Sequence, residues 1–229
     1  MKFQSLIYFL LWSMVLFAQE EEIKKVPIDS LYREDQFYVN ITYNSLRNMP
    51  AGLSQNGFSP GLTFGFLRDF PINKERNIAF APGLGFSFLG INQNLVAEKV
   101  NDVVVFDIGN ENEFDRNRLS LFLLEVPLEF RWRTSTPESH KFWRIYAGFK
   151  AGYVFYNKLK LTSETGNNTL KNLSEIQKLQ LSTYVTFGFN TWNFYMLYGL
   201  TPLYDSSVQV GTEPVKMGMI NLGLQFYIL

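Results

Sequence analysis

The sequence predicts an all-β chain: an eight-stranded antiparallel up-and-down transmembrane β-barrel over residues 35–229. Three observations predict it. First, apolar residues alternate with small or polar ones over runs long enough to cross a bilayer, which takes a tilted strand of about 9–11 residues. Second, the connections alternate between short and long, the asymmetry of barrels with short periplasmic turns and longer outside loops. Third, the two faces of each strand differ in bulk. One is rich in Phe, Leu, Ile and Val, and the other in Gly, Ala, Ser or charge.

Ahead of the strands, Lys2 precedes an apolar run from Leu6 to Phe17 and then Ala18. That is the secretory pattern of a basic start, an apolar core and a small residue before the cut. Residues 1–18 are therefore expected to be a cleaved signal peptide. Residues 19–34, with EEE and KK, are expected to form a solvated periplasmic tail.

The first strand, 35–46, sets Phe37, Val39, Ile41 and Tyr43 against Tyr38, Asn40, Thr42 and Asn44. Pro50 and Gly52 mark the loop that follows. In the second strand, 57–70, Phe58, Leu62, Phe64 and Phe66 oppose Ser59, Gly61, Thr63 and Gly65, and a polar turn spans 71–77. The third, 78–90, sets Phe80, Leu84, Phe86 and Phe88 against Ala79, Ala81, Gly83, Gly85 and Ser87. A long connection, 92–117, leads to the clearest hairpin. Phe122, Leu124, Val126, Leu128, Phe130 and Trp132 alternate with Glu125, Pro127, Glu129 and Arg131 in its first arm. In the second arm, Trp143, Ile145, Ala147, Phe149, Ala151, Tyr153 and Phe155 alternate with Arg144, Tyr146, Gly148, Lys150 and Gly152. Pro127 cannot donate to a ladder, so a local gap in pairing is expected there. After a loop at 157–177 come strand six (178–190), a turn at 191–193, strand seven (194–204) with the least regular parity, a loop at 205–215 and strand eight (216–229).

The rival arrangement is a secreted water-soluble barrel with the Phe rows inward, binding an apolar ligand. It would leave strands two and three with an almost uncharged exterior, whereas soluble surfaces carry interspersed charge. Trp132, Trp143 and Trp192 fall at strand ends beside short turns, where aromatic rings collect at membrane–water interfaces. The bulky rows are therefore expected to face lipid.

Composition narrows the function. Lys+Arg and Asp+Glu are 21 each, so the basic footprint of a nucleic-acid binder is absent. Without cysteine there is no disulfide, zinc-thiolate or thiol nucleophile. An eight-stranded barrel is just wide enough for side chains to fill it, so an open pore is not expected. Glu125, Glu129, Arg131, Arg144 and Lys150 should point into this interior as structural ion-pair candidates, with Glu125 and Glu129 near Lys150 and Arg144. No catalytic, cofactor or metal residues are assigned. His140 is the sole histidine, in a polar turn with no nucleophile beside it. Glu111, Glu113 and Asp115 crowd a loop tip but match no complete calcium loop. Val103 to Phe106 is expected to extend a hairpin beyond the bilayer, with strand edges suited to strand addition.

The stretch Leu124-Glu125-Val126-Pro127-Leu128-Glu129-Phe130, followed by Tyr146-Ala147-Gly148-Phe149-Lys150-Ala151-Gly152-Tyr153, resembles the PorT-like outer-membrane β-barrel family. Pro82-Gly83-Leu84-Gly85 and the closing Leu222-Gly223-Leu224-Gln225-Phe226 are similar to it as well. The resemblance implies the outer membrane of a Bacteroidota-type Gram-negative cell. It also implies kinship with a founding member required for type IX secretion and gliding-related export. It carries no active-site residue. The function expected is a non-enzymatic integral barrel that scaffolds or binds, accessory to type IX protein secretion. Its expected partners are outer-membrane lipid and proteins of a secretion or envelope complex, without a cofactor. The alternatives are a lipid- or peptide-modifying enzyme in the same membrane, or the soluble barrel above.

Overall fold

The computed structural model describes residues 35–110, 112–134, 142–164 and 166–228. The expected signal peptide, the tail at 19–34, Glu111 and His140 lie outside the described residues. Eight long strands form the wall: β1 (Gln36–Arg47), β2 (Pro60–Leu67), β3 (Ile78–Asn92), β4 (Arg116–Arg133), β5 (Trp143–Ser163), β6 (Leu179–Phe189), β7 (Trp192–Gly199) and β8 (Gly218–Ile228). Each pairs antiparallel with its sequence neighbours. β8 closes on β1 in unbroken register from Phe37↔Ile228 to Arg47↔Gly218. The sheet has no free edge along the wall, the condition for strands in hydrocarbon, where an unpaired backbone group is costly.

Alternation decides which way each side chain points. In β4, Glu125, Glu129, Arg131 and Arg133 are buried while Val126, Leu128, Phe130 and Trp132 are exposed. In β5, Phe149 is 66% exposed and its neighbour Lys150 only 4%. β7 has the same clean parity, with Asn193, Tyr195 and Leu197 inside and Phe194, Met196 and Tyr198 outside. Trp132, Trp143 and Trp192 are all exposed at the turn end. The β3–β4 ladder runs from Ile78↔Trp132 to Pro82↔Leu128 and resumes at Gly85↔Glu125. The omitted positions lie opposite Val126 and Pro127, where the proline has no N–H to give.

The wall is lopsided inside. β2 and β3 offer the lumen Thr63, Gly65, Ala79, Ala81, Gly83, Gly85 and Ser87, while the far wall sends in Tyr146, Lys150, Tyr184 and Tyr195. Large groups from one side fill the space left by small ones on the other, as close packing requires. Tyr38 shows how tight this is. A Cβ at Gly65 would lie 2.7 Å from its hydroxyl, and one at Gly85 would collide with it outright.

Several boundaries differ from the sequence reading. β2 is shorter at both ends, and β7 stops at Gly199 rather than 204. β5 runs on to Ser163, with a bulge where the register shifts between Phe122 and Leu123 on β4. The chain then returns as a short strand, Gly166–Lys171, paired along β5. The connection at 92–117 holds its own hairpin, Leu95–Val100 with Val103–Ile108. These outer segments are not open loops. Leu53, Leu95, Phe106, Ile176, Leu203, Tyr204 and Met217 gather with Leu89, Leu121 and Leu123 of the wall into one apolar core that fills the loop end. Phe106 meets Tyr204 edge to face at 5.6 Å, and Gln93 donates to the Tyr204 hydroxyl at 2.8 Å.

Candidate functional site: the charged lumen

Below that apolar cap, the turn half of the lumen holds the buried charge. Glu125 and Lys150 form an ion pair at 2.9 Å, and Lys150 also donates to the Tyr195 hydroxyl at 3.1 Å. The register explains the choice. Lys150 lies opposite Pro127, between the levels of Glu125 and Glu129. Its ammonium also sits over the rings of Tyr184 and Tyr195, 5.3 and 5.5 Å from their centroids.

Glu129 takes a different set of partners from those expected. Arg131 Nε donates to one of its oxygens at 2.9 Å, and the hydroxyls of Tyr184 and Tyr227 donate to the other at 3.1 and 3.3 Å. Arg131 is two residues along the same strand, so both side chains leave one face. Arg144 does not reach Glu129, because the hairpin register sets Glu129 opposite Gly148 and Arg144 opposite Arg133. Four residues of strand, roughly 13 Å at about 3.3 Å each, separate the two levels. The Arg144 guanidinium stacks instead over Phe142 at 4.5 Å and Tyr227 at 5.0 Å. Its Nε and Nη1 have no hydrogen-bond partner among the described residues.

Two members of the network were not anticipated from sequence. Asp69, in the turn after β2, accepts from Arg133 through both oxygens at 2.8 Å and from Arg131 at 2.9 Å. All three side chains are fully buried. Arg133 is the last residue of the hairpin's first arm, and the parity that turns Glu129 and Arg131 inward extends to it. Asp69 shares the inward parity of Ser59, Gly61, Thr63 and Gly65 within the expected strand 57–70, although β2 itself ends at Leu67. Burial alone would raise the Asp69 carboxyl. The hydrogen bonds and charge of Arg133, with the charge of Arg131, outweigh burial and hold it below the ordinary carboxylate value.

Electrostatically, three carboxylates (Asp69, Glu125, Glu129) face four cations (Arg131, Arg133, Arg144, Lys150), and the surplus positive group is the ring-stacked Arg144. The cavity beside Glu125 and Lys150 is about 30 Å³, room for a single water. Among the described residues the arrangement pairs six of these seven buried charges and ties β4 to strands across the lumen. Among the described residues no group of three or more His, Cys, Asp or Glu could hold a metal ion. Glu113 and Asp115 lie in the connection just before β4.

Comparison with known proteins adds the assignment that geometry cannot make. The family profile described as outer membrane protein beta-barrel domain matches residues 17–205. The chain belongs to that family. As a member of the outer membrane protein beta-barrel domain family, it carries its bulky rows toward lipid and its charges toward the barrel axis. No curated protein matches the chain. Among solved structures it is similar to Ail, the attachment invasion locus protein of Yersinia pestis. One Ail structure, a complex with the heparin analogue sucrose octasulfate, is 15% identical with a TM-score of 0.39, covering 85% of this chain and 99% of that one. A second is 13% identical with a TM-score of 0.41, covering 86% and 100%.

Proposed function

We propose that this outer-membrane barrel is non-enzymatic and acts as a scaffold or binding protein, presenting its loop layer to a partner. Following its PorT-like hairpin, we infer that it is an accessory to protein export of the type IX kind. The single observation that carries the scaffold reading is the filled interior. An apolar cap lies over a paired charge network, with room for about one water beside Lys150. A barrel with so little interior space works through what it holds outside.

Two measurements test this. Reconstituted in a planar bilayer, the barrel should give no steady unitary current steps. Regular, reproducible conductance would sink the plugged-scaffold reading. Affinity capture from mildly solubilised membranes, read by mass spectrometry, should recover envelope proteins of an export complex with the barrel. Recovery of the barrel alone would remove the export assignment and leave the fold untouched.

A further inference from the structure

The outer face of the β4–β5 hairpin changes character just beyond the membrane-facing rows. Phe122 packs edge to face with Phe88 at 5.2 Å and with Tyr156 at 5.3 Å. Such an aromatic ring marks the interface level of a barrel wall. Past it, on the same outward parity, the strands carry only cations and hydroxyls: Arg116, Arg118 and Ser120 on β4, then Lys158, Lys160 and Thr162 on β5. Lys171 on the short return strand adds another.

Their pairing is unfavourable as it stands. Arg118 lies directly opposite Lys160, and Lys158 directly opposite Lys171. Like charges facing each other across antiparallel strands destabilise a sheet. None of these cations is within salt-bridge distance of a carboxylate among the described residues. Arg118 is also held in place. Its guanidinium lies across Gly90, where any Cβ would collide with it, and its buried Nε has no hydrogen-bond partner.

Directly below Arg118 the wall is grooved. Gly90, with no side chain on the outer face, leaves a depression of about 400 Å³ between Ile41, Leu62, Phe88 and Phe122, and Arg118 forms its upper lip. The groove is apolar, faces the hydrocarbon, and runs up into the cation cluster.

We propose that this groove and cluster form a binding site for a phosphate-bearing membrane lipid. An acyl chain lies along Leu62, Phe88 and Phe122, and the headgroup phosphate bridges Arg118 and Lys160. The phosphate supplies the counter-charge that the two like-charge pairs lack, and a guanidinium offers it two parallel donors. The long stems of Lys158 and Lys160 reach down toward the interface while their ammonium groups stay at headgroup level. The site depends on the outer-membrane placement of the barrel and not on the export reading, so either can fail alone.

The test uses the full barrel in a neutral detergent, with thermal unfolding read by heat-modifiable gel mobility and bound lipid by native mass spectrometry. The probes are diphosphorylated lipid A, the same lipid with its phosphates removed, and inorganic phosphate. Diphosphorylated lipid A in excess should raise the unfolding midpoint by roughly 5 °C and stay on as a one-to-one adduct. The dephosphorylated lipid and inorganic phosphate should do neither. The double variant Arg118→Gln with Lys160→Gln should lose the gain and the adduct. Its lipid-free midpoint should be equal to or above that of the native barrel, since one like-charge pair is removed. An equal gain from dephosphorylated lipid, an equal gain from inorganic phosphate, or an undiminished gain in the variant would each overturn the proposal.

Discussion

Asp69→Ala is expected to be among the most damaging single substitutions in this barrel. The carboxylate is fully buried and accepts three hydrogen bonds, two from Arg133 and one from Arg131. Removing it deprives two adjacent buried guanidinium groups of their shared counter-charge. Breaking a buried ion pair from one side costs about 3–5 kcal/mol. Heat-modifiable mobility should therefore be lost at a midpoint lower by roughly 10 °C, taking about 2–4 °C per kcal/mol for a chain of this size. Asp69→Asn keeps the acceptor and should fall between the two. An alanine variant as heat-resistant as the native barrel would show that Asp69 adds nothing.

The same group sets a pH dependence. Its carboxyl in the folded barrel lies below the ordinary value of 3.8. A depressed carboxylate contributes stability above its unfolded value and loses it as pH falls through the folded one. The native barrel should thus weaken relative to Asp69→Asn as pH drops beneath about 3.8. Above that pH the gap between them should be flat. Tryptophan fluorescence during acid titration would follow both.

Lys150→Met is the second large effect. Methionine fills similar volume but leaves Glu125 buried without its ion-pair partner and takes the donor from Tyr195. The loss should again be about 3–5 kcal/mol. The informative comparison is Lys150→Met with Glu125→Gln, which removes both charges together. Replacing both members of a buried pair is often close to neutral, so the double variant should regain most of the stability. If the double variant were as unstable as the single, shape rather than charge would explain the loss. If Lys150→Met alone left mobility unchanged, the pairing would carry no weight.

The contrast between these two sites explains what could be read from sequence. Strand parity was legible because it is local. Phe149 and Lys150 must point opposite ways whatever the rest of the chain does. Lys150 could be placed inside on that basis, together with Glu125, Glu129, Arg131 and Arg144. Their partners were harder, because a partner depends on register. With Glu129 opposite Gly148, Arg144 falls level with Arg133 and turns to aromatic rings instead. Asp69 was harder for another reason. The inward parity of Ser59, Gly61, Thr63 and Gly65 reaches it, but it lies beyond the end of β2 at Leu67, and its partners Arg131 and Arg133 stand on another strand that parity along its own strand does not name. The apolar cap was missed on similar grounds. Leu95, Phe106, Ile176 and Leu203 are scattered over three connections with no repeat, and become one core only when those connections fold over the mouth.

The seam between β1 and β8 joins segments from opposite ends of the barrel, so it is the pairing most distant in sequence and the slowest kind to find. Tyr227 sits on that final strand, yet its hydroxyl donates across the cylinder to Glu129 on β4. Zipping the last ladder therefore also throws a bolt through the middle, so the newly sealed wall cannot peel back without releasing a tyrosine from a buried carboxylate. Assembly in the membrane gains a ratchet from this, in which the step that finishes the circle also secures it.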